Sequence, residues 1–403
     1  MMLRLGCALA GALLLSIPAA AQPAAPAPAP AGPPSCRPQS VFTAPATYRS
    51  VEQLPDGRIT FRLCAPDAGK VMVTSADIGE AVPMGFPPGT PRGLPMTRDA
   101  MGLWTATTAT PVAPDTYRYD FEVDGVKVPD PQATRFSEER VGTNSVFEAT
   151  GPAGAFQSWS KDVPHGAVST IDYWSTALGG RRRAHVYTPP GYMNGSQRYP
   201  VLYLVHGAGD SDDSWTANGH ANLILDNLIA AGKARPMIIV MPFGHTPDRP
   251  GADMLVNTDF RDDLFKDLIP YVERTFRTLP GADNRAMAGL SMGGAHTIYN
   301  GLTHPETFHW IGVFSMGLGM QNNTQQITDY ERQYGAALDR GSREFRLVYY
   351  AIGDDDFLQA TVAPTRAILD RHKVRYVFHP SPGGHTWINW RRYLDDFAPR
   401  LFR

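Results

Sequence analysis

The chain contains one serine between glycines in a pattern that could support nucleophilic chemistry, Gly289-Leu-Ser291-Met-Gly293. A serine hydroxyl attacks a carbonyl carbon only when a base removes its proton and a third group orients that base. The pattern follows a short apolar run and precedes a helical one, as expected of a sharp strand-to-helix turn that holds the serine outward. Ser291 is therefore the candidate nucleophile.

The base should follow the serine in the chain. His385 lies in a glycine-rich segment after the last predicted strand, from which its imidazole can reach back over the sheet edge to Ser291. His379, at the end of that strand, is the competing candidate. Because the chain order in this kind of site is nucleophile, acid, base, the acid should lie between Ser291 and His385.

Three consecutive carboxylates after the preceding predicted strand are candidates for the acid: Asp354, Asp355 and Asp356. Only one of them can be oriented at the imidazole. Asp356 is favoured because Phe357 and Leu358 follow it and can anchor that position against the core.

A tetrahedral intermediate needs two backbone N–H donors, one just after the nucleophile and one after an early strand. Met292 supplies the first donor, and Ala208, which follows the apolar strand ending at Val205, supplies the second. The neighbouring His206 is expected to be structural.

These residues need a scaffold of alternating strands and helices, which the pattern predicts from about residue 165 to 403. Strands buried on both faces, with helices between them, favour a mostly parallel sheet covered on both sides, the α/β-hydrolase layout. The predicted strands are Arg183–Thr188, Tyr199–Val205, Met237–Met241, Arg285–Gly289, Trp310–Ser315, Phe345–Ile352 and Val374–Phe378, and the predicted helices are Ala221–Gly232 and Asp262–Thr278.

The preceding region, residues 41–150, has short strands and turns without a helical period. The strands are Arg58–Cys64, Lys70–Thr74, Gly102–Thr107, Thr116–Val123 and Val126–Val128. This pattern predicts a small immunoglobulin-like β-sandwich. It contains no cluster of acid, base and nucleophile, so the chemistry is expected in the later region.

The N-terminus indicates the compartment. Residues 1–21 have the basic, apolar and small-residue order of a cleaved signal peptide, and residues 22–40 begin as a Pro/Ala-rich linker. Cys36 and Cys64 remain after cleavage, and they form either one disulfide across about 28 residues or two free thiols. We expect a secreted protein whose mature part has no membrane span.

Composition excludes some partners. The 403 residues carry a formal net charge of −2, so there is no basic footprint for a nucleic acid.

The later region resembles the esterase-D-like carbohydrate esterases of family one, which include feruloyl and acetyl-xylan esterases. The motifs that carry the resemblance are Leu204–Gly209, Val240–Thr246, Asp263–Glu273, Arg285–Gly294 and Gly383–Trp387. The resemblance implies a triad of Ser291, Asp356 and His385 with no metal and no cofactor. Trp215, Phe243 and Trp387 are the candidate substrate-binding residues. Phe243 departs from the family, in which an asparagine is common at this position.

The N-terminal region resembles the early-set sandwiches of family-48 carbohydrate-binding modules. The matching segments are Ile59–Pro66, Gly102–Trp104, Tyr117–Tyr119 and Val128–Pro131. The resemblance implies glycan binding. The alternative is a structural cap in which Trp104 and Tyr119 are core aromatics.

Together these features predict a secreted serine esterase acting on feruloyl or acetyl esters of plant polysaccharide, or on a small ester. The alternatives are a siderophore (enterobactin-type) esterase, an acyltransferase and a non-catalytic glycan-binding protein. A catecholate substrate would require basic residues at the pocket. The only dense basic run, Arg181–Arg183, is expected to be a solvated loop.

Overall fold

The structure is a computed structural model and describes residues 35–37, 48–85, 89–251 and 253–403. The predicted signal peptide, residues 1–21, and most of the predicted linker, residues 22–40, lie outside the described residues. Within the described ranges, no helix combines the length and the apolar character needed to cross a membrane.

Strands and helices are numbered in chain order. The strands are β1 Val51–Gln53, β2 Ile59–Cys64, β3 Val71–Thr74, β4 Leu94–Pro95, β5 Thr97–Arg98, β6 Leu103–Thr107, β7 Asp115–Val123, β8 Val126–Val128, β9 Phe136–Glu138, β10 Thr143–Ala149, β11 Ala167–Ser175, β12 Gly180–Thr188, β13 Val201–Val205, β14 Ile238–Pro242, β15 Arg285–Leu290, β16 Trp310–Phe314, β17 Leu347–Gly353 and β18 Val377–Ser381. The helices are α1 Ser214–Ala217, α2 Ala221–Ala230, α3 Thr258–Asp263, α4 Ile269–Thr275, α5 Met292–His296, α6 Thr324–Glu344, α7 Val362–Arg371 and α8 Trp387–Phe397. Two π-helical turns, Leu264–Leu268 and Thr297–Gly301, join α3 to α4 and extend α5.

The N-terminal region consists of two antiparallel sheets, with strand orders β1-β2-β6-β5 and β4-β3-β7-β10-β9, and β8 paired with β7. The alternation predicted for the first long strand is present, because Ile59, Phe61 and Leu63 are buried in the shared core. Trp104 and Tyr119 lie in the same core and are 7% and 2% exposed. Both rings are thus core aromatics, as the structural-cap alternative expected, and glycan binding by this region stays a prediction. The immunoglobulin-like assignment stays a prediction.

The structure joins Cys36 to Cys64 in a disulfide, as one of the two sequence alternatives predicted. The bond closes a loop with a sequence separation of 28 and attaches the segment at Cys36 to the end of β2. In the chain-entropy model, closing such a loop in the unfolded chain stabilises the protein by about 3.5 kcal/mol. We therefore expect Cys36→Ser/Cys64→Ser to lose about that much unfolding free energy in a urea titration. A double variant as stable as the wild type would contradict the estimate.

The later region contains one eight-stranded sheet with strand order β11-β12-β14-β13-β15-β16-β17-β18. The pairs β11–β12 and β12–β14 are antiparallel, and the remaining pairs are parallel. Strand β13 illustrates burial on both faces, because Tyr203 belongs to the core on one side and Leu204 to the core on the other. This is the predicted α/β-hydrolase layout, and β15 lies near its centre.

Several elements differ from the sequence-based expectation: β11, α6, α7 and α8 are among those that were not predicted, and the last strand is shifted. The 21-residue helix α6 was not predicted, because its sequence is mostly polar and only Tyr330, Gly335, Leu338 and Gly341 are buried. The last strand begins at Val377 and not at Val374. Lys373 has a positive φ of 57°, and the Val374 N–H donates to the Leu369 carbonyl, so these residues end α7 before the strand begins.

Candidate active site

Ser291 occupies the turn between β15 and α5 with φ 51° and ψ −117°, a backbone conformation that residues other than glycine rarely adopt. The turn is tight enough to require glycine on both sides. A β-carbon at Gly289 would lie 2.4 Å from Gly293 backbone atoms, and one at Gly293 would lie 2.3 Å from the Val205 carbonyl oxygen. The Ser291 N–H donates to the Phe314 carbonyl at 3.0 Å, which ties the turn to the next strand. Close contact with β13 and a hydrogen bond to β16 thus hold the strained backbone in place.

His385 and Asp356 lie together after the neighbouring strands β18 and β17. The distance from His385 Nδ1 to each carboxylate oxygen of Asp356 is 3.0 Å, and the Asp356 side chain is fully buried. Asp354 and Asp355 are exposed, and their N–H groups donate to the carbonyls of Ser381 and Gly383. Of the three carboxylates, Asp356 is the one that contacts the imidazole.

Two opposing influences set the pKa of Asp356. Burial is the largest and acts to raise it, whereas the hydrogen bond and charge of His385, the Leu358 N–H and the Ser315 hydroxyl act to lower it. The net effect holds the pKa of Asp356 below its usual range. An ionised carboxylate accepts a hydrogen bond from the Nδ1–H of His385, and in that tautomer Nε2 is the available base.

The imidazole is packed between two aromatic side chains. The Trp390 ring lies edge-on at 5.0 Å between centroids, and the indole N–H donates to the Ser315 hydroxyl at 2.9 Å. The centroid of the Phe357 ring is 4.4 Å from the centroid of the His385 ring. Phe357 is 73% exposed, so it does not anchor the loop in the core as expected; buried Leu358 does. Phe357 is the contact that sequence reasoning missed.

Ser291, Asp356 and His385 all lie at the end of the sheet where the parallel strands have their carboxyl termini. Strands β15, β16, β17 and β18 are parallel neighbours, and the serine, the acid and the histidine follow the carboxyl ends of three of them. The competing histidine, His379, stacks on Tyr349 at 5.8 Å and lies 3.7 Å from Asp396. His379 therefore has other partners than the acid loop.

The segment after β13 passes close to the serine, since a β-carbon at Gly207 would lie 3.6 Å from Ser291 Cβ. The Gly207 N–H donates to Asp210 Oδ2 at 3.1 Å, and the Gly293 N–H donates to the His206 carbonyl at 3.0 Å. Ala208 follows the first of these donors. Met292 precedes Gly293 and lies in the first turn of α5, where backbone N–H groups have no acceptor within the helix.

His206 uses both ring nitrogens within the protein. Nε2 accepts from the Gly244 N–H at 2.9 Å, so Nδ1 carries the proton and donates to the Gly207 carbonyl at 2.8 Å. Burial lowers the pKa of His206, which favours this neutral form. The geometry agrees with the structural role expected for it.

Two of the three aromatic residues assigned to substrate binding are in the core, and the assignment is corrected for them. Trp215 and Trp387 are each 1% exposed and contact each other at 5.0 Å. The Trp215 indole N–H donates to the Val205 carbonyl. Phe243 is half-buried beside Arg182, with the guanidinium 5.5 Å from the ring centre.

The basic run Arg181–Arg183 is not a solvated loop, because it lies within β12. Arg182 is buried against Asp263, and Arg183 pairs with Asp212 at 2.6 Å. Only Arg181 is largely exposed. Pairing with a carboxylate of α3 and with one in the segment after β13, which a run of three arginines does not reveal, explains the difference.

Solved structures of esterases share this fold. A ferulic acid esterase matches with a TM-score of 0.52 and 26% identity, covering 58% of this chain and 97% of its own. An enterochelin esterase from Shigella flexneri matches with a TM-score of 0.62 and 18% identity, covering 88% of this chain and 95% of its own. The second match extends into the N-terminal region.

Sequence relatives agree with these structures. An "Endo-1,4-beta-xylanase/feruloyl esterase" of Xylanibacter ruminicola is 32% identical over 354 residues, 86% of this chain. This chain spans 45% of that relative's length, and 26% of the length of a Mycobacterium tuberculosis esterase that is 36% identical over 125 residues. The family model described as "Putative esterase" matches residues 175–401, more than half of the chain. The chain belongs to this esterase family.

Proposed function

We propose that this protein is a serine hydrolase of carboxylic esters, with Ser291 as nucleophile, His385 as base and Asp356 as the group that orients the base. The contact of buried Asp356 with His385 Nδ1, on the sheet edge that also presents Ser291, carries the proposal. Membership of the esterase family supports it.

In the proposed reaction, Ser291 Oγ attacks the acyl carbon while His385 Nε2 takes the hydroxyl proton. The carbonyl oxygen becomes an oxyanion, which the N–H groups of Ala208 and Met292 stabilise. The intermediate then collapses, the C–O bond to the alcohol breaks, and the imidazolium gives its proton to the leaving alkoxide. Water, deprotonated by His385, releases the acid from the acyl-serine in a second cycle of the same steps.

We further propose a hydroxycinnamoyl ester as the substrate, on plant polysaccharide outside the cell. An exposed phenylalanine beside the base, Phe357, offers a flat apolar surface to an aromatic acyl group. The name of the Xylanibacter ruminicola relative, which includes "feruloyl esterase", is consistent with this proposal. A catecholate ester is less favoured, because Arg182 and Arg183 are both engaged by carboxylates.

A substrate panel tests the activity and its class. Hydrolysis of p-nitrophenyl acetate by the full chain separates an enzyme from a glycan-binding protein. The kcat/KM for methyl ferulate, acetylated xylan and a catecholate ester then ranks the acyl groups, and an added alcohol acceptor detects acyl transfer. We expect methyl ferulate to rank first. No turnover of any ester would overturn the proposed function.

The role of Phe357 predicts a selective loss. We expect Phe357→Ala to lower kcat/KM for methyl ferulate about tenfold, because an aromatic contact contributes up to about 1.5 kcal/mol, and to change p-nitrophenyl acetate hydrolysis less than threefold. Trp174→Ala is the matched control, since Trp174 is a 65% exposed aromatic on the edge strand β11. Equal losses with both substrates would show that Phe357 does not contact the acyl group.

A further inference from the structure

An arginine of the N-terminal sandwich reaches into the later region. Arg118, on β7, directs its Nη1 at Asp210 Oδ1, 2.7 Å away, while its Nε and Nη2 donate to the two carboxylate oxygens of Asp77. The Arg118 side chain is 12% exposed, and those of Asp77 and Asp210 are 4% and 7% exposed. One guanidinium therefore joins a carboxylate of each region in a nearly dry environment.

Asp210 in turn shapes the segment after β13. Its Oδ2 accepts the Gly207 N–H at 3.1 Å, and its own N–H donates to the Gly207 carbonyl at 3.2 Å. These two bonds close the turn of residues 207–210, which contains Ala208. The orientation of the Ala208 N–H thus depends on where the Asp210 carboxylate is held.

We propose that Arg118 is a positioning residue for catalysis: by holding Asp210, it sets the turn that presents the Ala208 N–H to the oxyanion. The inference rests on the proposed function, in which Ala208 is an oxyanion donor. It assigns to the N-terminal sandwich a part in turnover that does not require the sandwich to bind a glycan.

A second contact keeps the strand that carries Arg118 in place. Arg391 of α8 is fully buried and pairs with Asp115, at the start of β7, at 2.7 Å. It also donates to the carbonyls of Thr116 and Asn218. Strand β7 is consequently attached to the later region at two points, and Arg118 lies between the sandwich and the 207–210 turn with little freedom.

Loss of the guanidinium would leave two buried carboxylates, Asp77 and Asp210, without their cation; the one that bears on the 207–210 turn is Asp210. Such a group takes up a proton or turns towards water. Either change weakens the hydrogen bond to the Gly207 N–H. The expected consequence is a misplaced oxyanion donor, which weakens stabilisation of the transition state more than binding of the substrate.

The test compares two full-length variants that each remove one arginine from the contact between regions. Arg118→Met removes the partner of Asp210. Arg135→Met is the matched control, because Arg135 donates to the Ala217 carbonyl across the same contact and does not touch Asp210. Active sites are counted by titration with a fluorophosphonate, so that kcat refers to folded, competent protein only.

We expect Arg118→Met to lower kcat per titrated site by about 10- to 100-fold with KM within about threefold, while Arg135→Met stays within about twofold of wild-type kcat. Hydrogen exchange measured by mass spectrometry should be faster in the 206–212 segment of Arg118→Met alone. Wild-type kcat in Arg118→Met, or the same loss in both variants, would overturn the proposal.

Asp210→Asn provides an independent arm if Arg118→Met does not fold. It keeps an acceptor for the Gly207 N–H but loses the charge that holds Arg118, so a smaller kcat loss is expected. In Arg118→Met/Asp210→Asn the unpaired charge at position 210 is gone, while Asp77 lacks its cation just as in Arg118→Met, and kcat should exceed that of Arg118→Met. If the kcat loss of the double variant equals the product of the two single-variant losses, Arg118 and Asp210 act independently and the proposal is contradicted. The exchange measurement decides whether Arg118 holds the 207–210 turn even if the chain hydrolyses none of the esters tested, so a failure of this proposal is distinguishable from a failure of the proposed function.

Discussion

Ser291→Ala should lower kcat by a factor of about 10³ or more while the protein remains folded. The substitution removes only the hydroxyl group, and without it no acyl-serine forms. The small residual rate then comes from substrate binding and from the oxyanion donors. Alanine keeps the β-carbon, so the backbone at φ 51° is no more strained than in the wild type. The measurement is steady-state hydrolysis of p-nitrophenyl acetate, with circular dichroism to verify the fold.

A fluorophosphonate should label the wild type once, at Ser291, and should not label the variant. Ser169→Ala is a suitable control, because Ser169 is an exposed serine on the edge strand β11. Substantial turnover in folded Ser291→Ala would exclude the serine mechanism.

Asp356→Asn should lower kcat by about 10⁴. The asparagine amide can donate to His385 Nδ1, which would move the ring proton to Nε2 and block the base that Ser291 needs. The imidazolium formed during the reaction would also lose the charge of a carboxylate that is fully buried and 3.0 Å away. The size and the packing of the side chain are unchanged, so the effect on folding should be small.

The neighbouring carboxylates provide matched controls for this variant. Asp354→Asn and Asp355→Asn should each change kcat by less than about tenfold, because both side chains are exposed and neither is among the contacts of His385. An inactive Asp355→Asn or Asp354→Asn beside an active Asp356→Asn would contradict the assignment of the acid and leave the Ser291–His385 pair to be tested alone.

Continuous apolar runs in the sequence predicted most of the eight-stranded sheet. Strands such as Val201–Val205 and Ile238–Pro242 are apolar throughout, which is the signature of burial on both faces. Helix α6 lacked such a signal, because few of its side chains are buried and the rest are exposed or only partly buried. The shift of the last strand to Val377 depends on one left-handed residue, Lys373, which local composition does not reveal.

The candidate site was predictable where it depends on local turns and on strand order. The elbow at Ser291 and the loop that ends in Asp356 each occupy a short stretch of sequence. Contacts between distant segments were not predictable: Trp215 and Trp387 meet in the core although 172 residues separate them, and Arg118 is 92 residues from Asp210. Nor does a single sequence distinguish the exposed Phe357 from its buried neighbour Leu358.

The buried pair of Arg391 and Asp115 has a consequence for how the two regions can be recombined. A fragment cut at the limits of the family match, residues 175–401, would retain Arg391 and lose Asp115. Water can reach Arg391 in such a fragment, whereas an N-terminal region that covers Arg391 without a carboxylate would leave the guanidinium buried and unpaired. Removing one partner of an ion pair that stays buried costs about 3–5 kcal/mol, a large part of the 5–15 kcal/mol by which a typical protein is stable. Genetic exchange that replaces the N-terminal region would incur the same loss unless the incoming region supplies a carboxylate there. An exchanged N-terminal region is therefore expected to need an acidic side chain where Asp115 contacts Arg391.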